Sequence, residues 1–371
     1  MKRFGVRDVA RLAKVSMGTV DRALNDRDGI SPQTRERILA IAKEHGYVPN
    51  LTARALSFSK SRLRIGLCIP REIRYFYDPL YKGVIDEAQR YAHIGVEVIY
   101  RPVRKLSSPS TRAVNELLQA GIRALILTPG VSADVVPLIM RAEKEHNVRV
   151  VCVASDNSPS GRSSSVSVDP NVNGALAAEL LAKFVPEGAQ VAIVTGMLDT
   201  EEHRHKVESF QKHFPLENKG RVLALIEGHE EPGEVYRKVL HLLKRSKDLA
   251  GIYVSTVNCI PVCEAVEELG LSGKVKIVAT DLFPDLSIYF ERGTLTATIY
   301  QNPYRQGQLA VRSILDHFLN NKSFPANHYL NPVVALRANL GMFQEMRQGT
   351  RAESDSVDNV SVKLASLREA L

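Results

Sequence analysis

From residue 63 onward the chain repeats one unit, a short and nearly continuous apolar segment followed by an amphipathic helical stretch. The apolar segments are LRIGLCIP, GVEVIY, RALILTPG, VRVVCVAS, QVAIVTG, RVLALIEG, GIYVST, KVKIVATD and LTATIYQ. Strands that are apolar along their whole length are buried on both faces, and the helices between them supply the cover. The pattern therefore specifies an α/β fold with parallel sheets. Nine such strands exceed one comfortable sheet, so two lobes are expected. The Ser-, Pro- and Gly-rich stretch SDNSPSGRSSSVSVDP is read as a crossing between them near 157–165, with a return near 289–295 and a third crossing near 322–330.

The first 49 residues read differently. VRDVARLAK, SMGTVDRALND and SPQTRERILAIAKEHG are short helical segments separated by tight breaks. Val6, Val9, Ala10 and Ala13 recur at helical spacing, as do Val20, Ala23 and Leu24, then Ile38, Ile41 and Ala42, so three helices share one small core. Ser16 precedes the second helix, and Ser31 followed by Pro32 is an N-cap with proline at the first helical position. Charge is segregated in the same region. Residues 1–64 hold 14 Lys and Arg against 6 Asp and Glu, while the remaining 307 hold 35 of each. A compact basic module on a neutral body is the electrostatic footprint of a nucleic-acid reader.

Other classes are disfavoured. No apolar run approaches the roughly 20 residues that span a bilayer, and the basic N-terminus has no apolar core of a signal peptide, so a cytoplasmic protein without membrane contact is expected. Cys68, Cys152, Cys259 and Cys263 sit in apolar sequence and read as small core residues, with neither metal nor cofactor expected. There is no G-x-S-x-G elbow, phosphate loop, G-x-G-x-x-G or metal-ligand spacing, so no enzyme is expected.

At 100 degrees per residue, the second helix gathers Met17, Gly18, Asp21, Arg22 and Asn25 on one arc, while Val20, Ala23 and Leu24 point away. Two helices joined by a turn at AKVS, the second polar outward, form a helix-turn-helix whose second helix enters the major groove. The stretch VRDVARLAKVSMGTVDRALNDRDGISPQTRERILAIAKEHGYVPNLTARALS resembles the DNA-binding head of the Lac/Gal repressor family without a gap. It carries that family's D-V-A, A-x-V-S-x-x-T-V-x-R-x-L-N, T-R-x-R-I, H-G-Y-x-P-N and A-R-x-L elements.

The resemblance implies that Met17, Gly18 and Arg22 occupy base-reading positions and that Ser16, Thr19 and Asn25 hold phosphates. A guanidinium such as that of Arg22 can bond guanine O6 and N7 together; Met17 either touches apolar base edges or packs. Asp21 lies on the DNA-facing arc, where the family more often has a small hydroxyl residue. It accepts from a cytosine amino group, braces Arg22 or Lys14, or is a tolerated solvated acid. Residues 50–62 match the family's hinge helix and linker through Asn50, Ala53, Arg54 and Leu56. There Leu56 is a wedge between base steps in the minor groove, or a plain linker leucine.

Residues 63–343 resemble the type I periplasmic binding protein fold, a two-lobed Rossmann-like architecture that serves this family as its effector domain, and especially its ribose-type branch. In open α/β sheets ligands sit at the carboxyl ends of strands. Reading each strand end gives Arg74, Phe76 and Tyr77, then Asp156 and Asn157, Asn258, Asp281 and Gln301. Carboxylates and amides beside aromatic rings suit a polyhydroxylated ligand. Where the family has an arginine four residues before an aromatic, this chain has Lys206, with Arg204 two residues earlier, and either could reach the ligand. With Arg74, that departure admits a sugar acid or sugar phosphate beside a neutral sugar.

Residues 344–371 read as a polar tail in which Val357, Val360, Leu364, Leu367 and Leu371 form a stripe two heptads long. The expected protein is thus a transcriptional regulator, in expectation a repressor. It binds pseudo-palindromic double-stranded operator DNA as a homodimer, with optional tetramerisation through 357–371, under control of a small carbohydrate-type effector. The alternative is a sugar-binding protein or carbohydrate-related enzyme with no DNA role, and the basic head counts against it.

Overall fold

In the computed structural model, residues 5–24, 29–45 and 62–343 are described. Asn25, the hinge residues Asn50, Ala53, Arg54 and Leu56, and the tail lie outside the described residues.

The head contains α1 (Val6–Leu12), α2 (Met17–Leu24) and α3 (Pro32–Glu44). Asp8 Oδ2 accepts the Gly5 N–H at 2.9 Å and so starts α1. Ser31 Oγ accepts the Thr34 N–H at 3.2 Å, with Pro32 in the first turn of α3. Lys14 takes a left-handed conformation (φ 51°) between α1 and α2, which reverses the chain tightly enough for Val9, Ala10, Ala13, Val20, Ala23 and Ile38 to bury one another.

The body holds two six-stranded sheets. The first is built from β1 (Leu63–Cys68), β2 (Val96–Tyr100), β3 (Ala124–Leu127), β4 (Arg149–Val153), β5 (Ser164–Val168) and a late strand, β11 (Asn327–Leu330). Their order is β11-β5-β4-β3-β1-β2, parallel throughout. The second is built from β6 (Gln190–Thr195), β7 (Arg221–Glu227), β8 (Leu249–Val254), β9 (Lys276–Thr280), β10 (Ala297–Tyr300) and β12 (Val333–Ala335), in the order β12-β10-β9-β8-β6-β7. Here only β12 runs antiparallel, against β10. Strand order reverses between β1 and β3 in one sheet and between β6 and β8 in the other, which places a crevice at the carboxyl ends of both.

The lobe crossings differ from those expected. Residues 157–165 do not leave the first sheet, because β5 completes it. Its serines pass for linker in the sequence, but their hydroxyls are satisfied inside: Ser164 Oγ donates to Pro325 O at 2.6 Å and Ser165 Oγ to Asn327 Oδ1 at 3.0 Å. The chain crosses after Val168, entering α7 (Pro170–Phe184), which packs with the second lobe. It returns after β10 rather than at 289–295, since residues 287–291 are a short helix whose Tyr289 and Phe290 belong to the second lobe's core. The third crossing follows β11, at residues 331–332, just beyond the expected 322–330.

In the first lobe α4 (Arg74–Gln89) packs against α12 (Pro303–Asn320), burying Leu80, Val84 and Ala88 with Ala310, Val311 and Ile314. Other helices include α8 (Glu201–Asn218) and α9 (Pro232–Arg245) around β7, and α10 (Cys259–Glu268) after β8. All four cysteines are buried and free. Among the described residues no helix is long and apolar enough to cross a membrane.

Candidate functional site

The outer face of α2 presents Ser16, Met17, Gly18, Asp21 and Arg22 to solvent, with Thr19 half-buried, while Val20 and Ala23 are buried beneath. Ser16 Oγ accepts the Thr19 N–H at 3.1 Å and lies 2.9 Å from Thr19 Oγ1, so the hydroxyls gather at the positive end of the helix dipole. A Cβ on Gly18 would meet only Ser16 Oγ, at 3.7 Å. The helix backbone is thus open to close approach on this side, and the guanidinium of Arg22 is the longest hydrogen-bonding group on the described face.

The second site is the crevice between the lobes. Its walls include Ile73, Phe76, Tyr77 and Leu106 from the first lobe with Ala154 and Ser155 after β4, and Thr200, Glu202, His203, Lys206, Glu230, Thr256, Asp281 and Gln301 from the second. With its open mouth, which is continuous with solvent, it contains about 430 Å³ of atom-free space.

Of the residues expected here, Phe76, Tyr77, Lys206, Asp281 and Gln301 line the crevice. Asn258 stands just behind, its Nδ2 donating to Glu230 Oε2 at 3.4 Å. Four others stand elsewhere. Arg74 opens α4 on the surface, its Nε 3.0 Å from Asp78 Oδ2 in a one-turn pair. Asp156 is occupied as a clamp on Arg162, with Nε at 2.6 Å from Oδ1 and Nη2 on Oδ2. Asn157 forms the adjoining turn, accepting through its carbonyl from Ser160. Arg204 turns away toward the Leu198 carbonyl, 3.4 Å from its Nη1. Helical geometry separates it from Lys206, since residues two apart on a helix face different sides.

Lys206 is 1% exposed. Its Nζ pairs with Glu202 Oε1 and donates to the Ser255 carbonyl at 3.4 Å. A Cβ on Gly174 of α7 would stand 2.3 Å from the Lys206 carbonyl, so that glycine lets α7 and α8 approach and seats the lysine. His203 Nδ1 accepts the Met197 N–H at 3.1 Å, while its Nε2 faces Glu202 Oε2 at 3.3 Å and Glu230 Oε1 at 3.8 Å. His229 (φ 49°) and Glu230 (φ 58°) take successive left-handed conformations after β7, a conformation costly for non-glycine residues and common where function demands it. Gly196 leaves room for the result: a Cβ there would lie 1.9 Å from Glu230 Oε1.

Asp281, itself at φ 76°, is held by Gln301 Nε2 at 2.9 Å. Burial pushes its carboxyl up to about 6, against the opposing pull of Lys206. The hydroxyls of Ser155 and Thr200 are buried without a hydrogen-bond partner. Sequence reasoning missed Ser155, Thr200, Glu202, His203 and Glu230. The acidic run at 201–202 and the H-E-E at 229–231 stand at strand ends like the residues that were read, but in sequence they look like ordinary helix starts.

A family model for the periplasmic binding protein domain matches residues 65–322, and one for bacterial regulatory proteins of the lacI family matches residues 6–50. Catabolite control protein A of Priestia megaterium is 27% identical over 324 residues, covering 85% of this chain and 92% of that protein. The ribose import binding protein of Bacillus subtilis (strain 168) is 26% identical over 269 residues, 72% of this chain and 85% of that one. A solved structure of a glucose-galactose binding protein from Geobacillus stearothermophilus matches with a TM-score of 0.68 at 25% identity, covering 75% of this chain and 99% of that chain.

Proposed function

The chain belongs to the lacI family of bacterial regulatory proteins, joining a DNA-binding head to a periplasmic binding protein domain as a transcriptional regulator, and we propose that it is a repressor controlled by a carbohydrate-type effector held between its lobes. The observation that carries the effector reading is the crevice itself. Strand ends of both sheets converge there on Phe76 and Tyr77, a ring of amide and carboxyl groups, and two buried hydroxyls that lack partners. A small polyhydroxylated molecule would satisfy those hydroxyls while its C–H face lies on an aromatic ring. The ribose and glucose-galactose binding relatives support the same ligand class.

In this reading Met17, Gly18 and Arg22 face base edges, and Ser16, Thr19 and the start of α2 hold phosphates. The hinge segment around Leu56 enters the minor groove from a homodimer. Effector binding closes the lobes, and closure changes how the paired heads meet DNA, which requires the effector to bind the two states unequally. The test is a mobility shift on the DNA flanking the protein's own gene, with and without a panel of sugars. A specific complex whose stability changes with one sugar class is the expected result. A specific complex indifferent to every sugar would remove the effector reading and leave the DNA reading standing.

A further inference from the structure

The carboxyl groups of the crevice outnumber its cations. Glu202, Glu230 and Asp281 line it, against Lys206, with the neutral imidazole of His203 among them. Lys206 is committed to Glu202. Because His203 Nδ1 accepts the Met197 N–H, the ring's hydrogen lies on Nε2, which is shared between Glu202 and Glu230. Glu230 is otherwise held by neutral donors, the Thr256 hydroxyl at 2.9 Å and Asn258 Nδ2 at 3.4 Å, and Asp281 by Gln301. Among the described residues neither Glu230 nor Asp281 has a lysine or arginine at ion-pair distance. A second observation is independent of charge. Ser155 and Thr200, 5% and 3% exposed, direct to the same cavity hydroxyls that have no partner, and buried polar groups of native proteins are paired unless something completes them.

Resting on the reading of the crevice as a carbohydrate-type effector site, we infer that the effector carries a basic nitrogen, as an amino sugar does, with its ammonium set against Glu230 and Asp281 and its hydroxyls completing Ser155 and Thr200. The two carboxyl groups are already out of water, the Glu230 side chain 4% and Asp281 7% exposed, and a neutral sugar would return no opposite charge to them. A sugar acid or sugar phosphate would add a like charge to a site with one already paired lysine. Arg74, which in the sequence favoured an anionic ligand, stands outside the crevice.

The experiment is calorimetric titration of the full chain at neutral pH with three matched sets: D-glucosamine, D-galactosamine and D-mannosamine, their N-acetyl forms, and the parent neutral hexoses, with glucose 6-phosphate added. The expected result is one amine bound at least tenfold more tightly than both its N-acetyl and its neutral counterpart, with no binding of the phosphate. In Glu230→Gln that preference should shrink below threefold, with far-ultraviolet circular dichroism showing the fold intact. Neutral hexoses or the phosphate binding as tightly as the amines would overturn the inference and keep the carbohydrate reading. So would an amine preference undiminished in both Glu230→Gln and Asp281→Asn. Binding by no member of any set would sink the inference and the carbohydrate reading together.

Discussion

Tyr75 of the first lobe stacks on Phe283 of the second, with ring centroids 4.0 Å apart and planes 15° from parallel. Beside them Lys105, from the loop ahead of Leu106, pairs with Glu231 across the same gap and reaches Glu72 at 3.9 Å. These contacts join one lobe to the other, so any movement that parts the lobes has to break them. An aromatic stack adds about 0.5–1.5 kcal/mol beyond its buried area. Tyr75→Ala should therefore weaken effector affinity roughly two- to tenfold in calorimetry while moving the thermal midpoint little, because the ring is part-exposed. An unchanged affinity would mean that this stack does not contribute to closure.

Asp281 makes a separate prediction, because its carboxyl is raised from 3.8 to about 6 by burial, with Lys206, Glu202 and His203 as the charged or titratable neighbours. The folded chain holds this proton at pH values where the unfolded chain has lost it. Stability from this group is therefore present below about pH 4 and is lost as pH rises through 6. At neutral pH the gap between the folded and unfolded values costs the fold roughly 3 kcal/mol. Asp281→Asn keeps the shape and the acceptor for Gln301, and asparagine tolerates positive φ. Denaturation followed by circular dichroism should show it more stable than the native chain at pH 7, by up to about 3 kcal/mol, and equal at pH 4. Effector binding should fall in the same variant, so that stability rises as function is lost. Equal stability at both pH values would show that the carboxyl is not strained by burial.

The lobes are held individually by less exposed chemistry. Glu87 of α4 is buried and receives Arg312 of α12 on both oxygens, at 2.7 and 3.1 Å, with Arg90 at 3.3 Å. Removing one member of a buried pair costs about 3–5 kcal/mol. Arg312 is 36% exposed and can regain water, so Glu87→Ala should cost less, about 2 kcal/mol by thermal or urea unfolding. Glu87→Gln, which still accepts a hydrogen bond, should recover part of it. A cost under about 0.5 kcal/mol would place this pair with surface ion pairs.

What could be read in the sequence follows from how locally each feature is encoded. The central strands were legible because a strand buried on both faces must be apolar at every position, while the edge strands β2 and β7, half-buried or partly exposed, were legible because they are apolar all the same. β5 was not, since serine is polar in composition but becomes a core residue once Pro325 and Asn327 take its hydroxyls, and those partners come some 160 residues later. β11 and β12 are short edge strands recruited by the returning chain, with no pattern of their own. In the crevice, the side chains that belong to a strand end proper, Asp281 and Gln301, were found by position. Arg74 and Arg204 were misplaced because helix phase, rather than nearness to a strand end, decides which way a residue at a helix start points. Glu230 was missed because two left-handed residues in succession redirect the chain, and nothing in H-E-E announces that.

The head offers the sharpest test of specificity. Asp21 is exposed on the α2 face that carries Met17 and Arg22, and it places a negative charge where the resembled family more often has a hydroxyl. Non-specific DNA binding is chiefly electrostatic, and its salt dependence counts the phosphates neutralised. A carboxylate near the backbone opposes that attraction on every sequence alike, whereas a bond to a cytosine amino group, or a brace on Arg22, rewards one sequence only. Asp21→Ser should therefore strengthen binding to random duplex DNA, by roughly threefold at low salt, with the gain shrinking as salt screens it. If Asp21 takes part in reading, operator affinity should fall by roughly threefold in the same variant, so that the ratio of operator to random binding drops by about tenfold, the discrimination expected of one good base contact. Fluorescence anisotropy with both duplexes over a salt series separates the outcomes. A parallel rise on operator and random DNA would make Asp21 a general electrostatic brake, and no change on either would make it a tolerated surface acid. Only a loss confined to the operator assigns it to sequence choice, and Arg22→Lys should then produce a loss of the same kind, since a point charge cannot bond guanine O6 and N7 together.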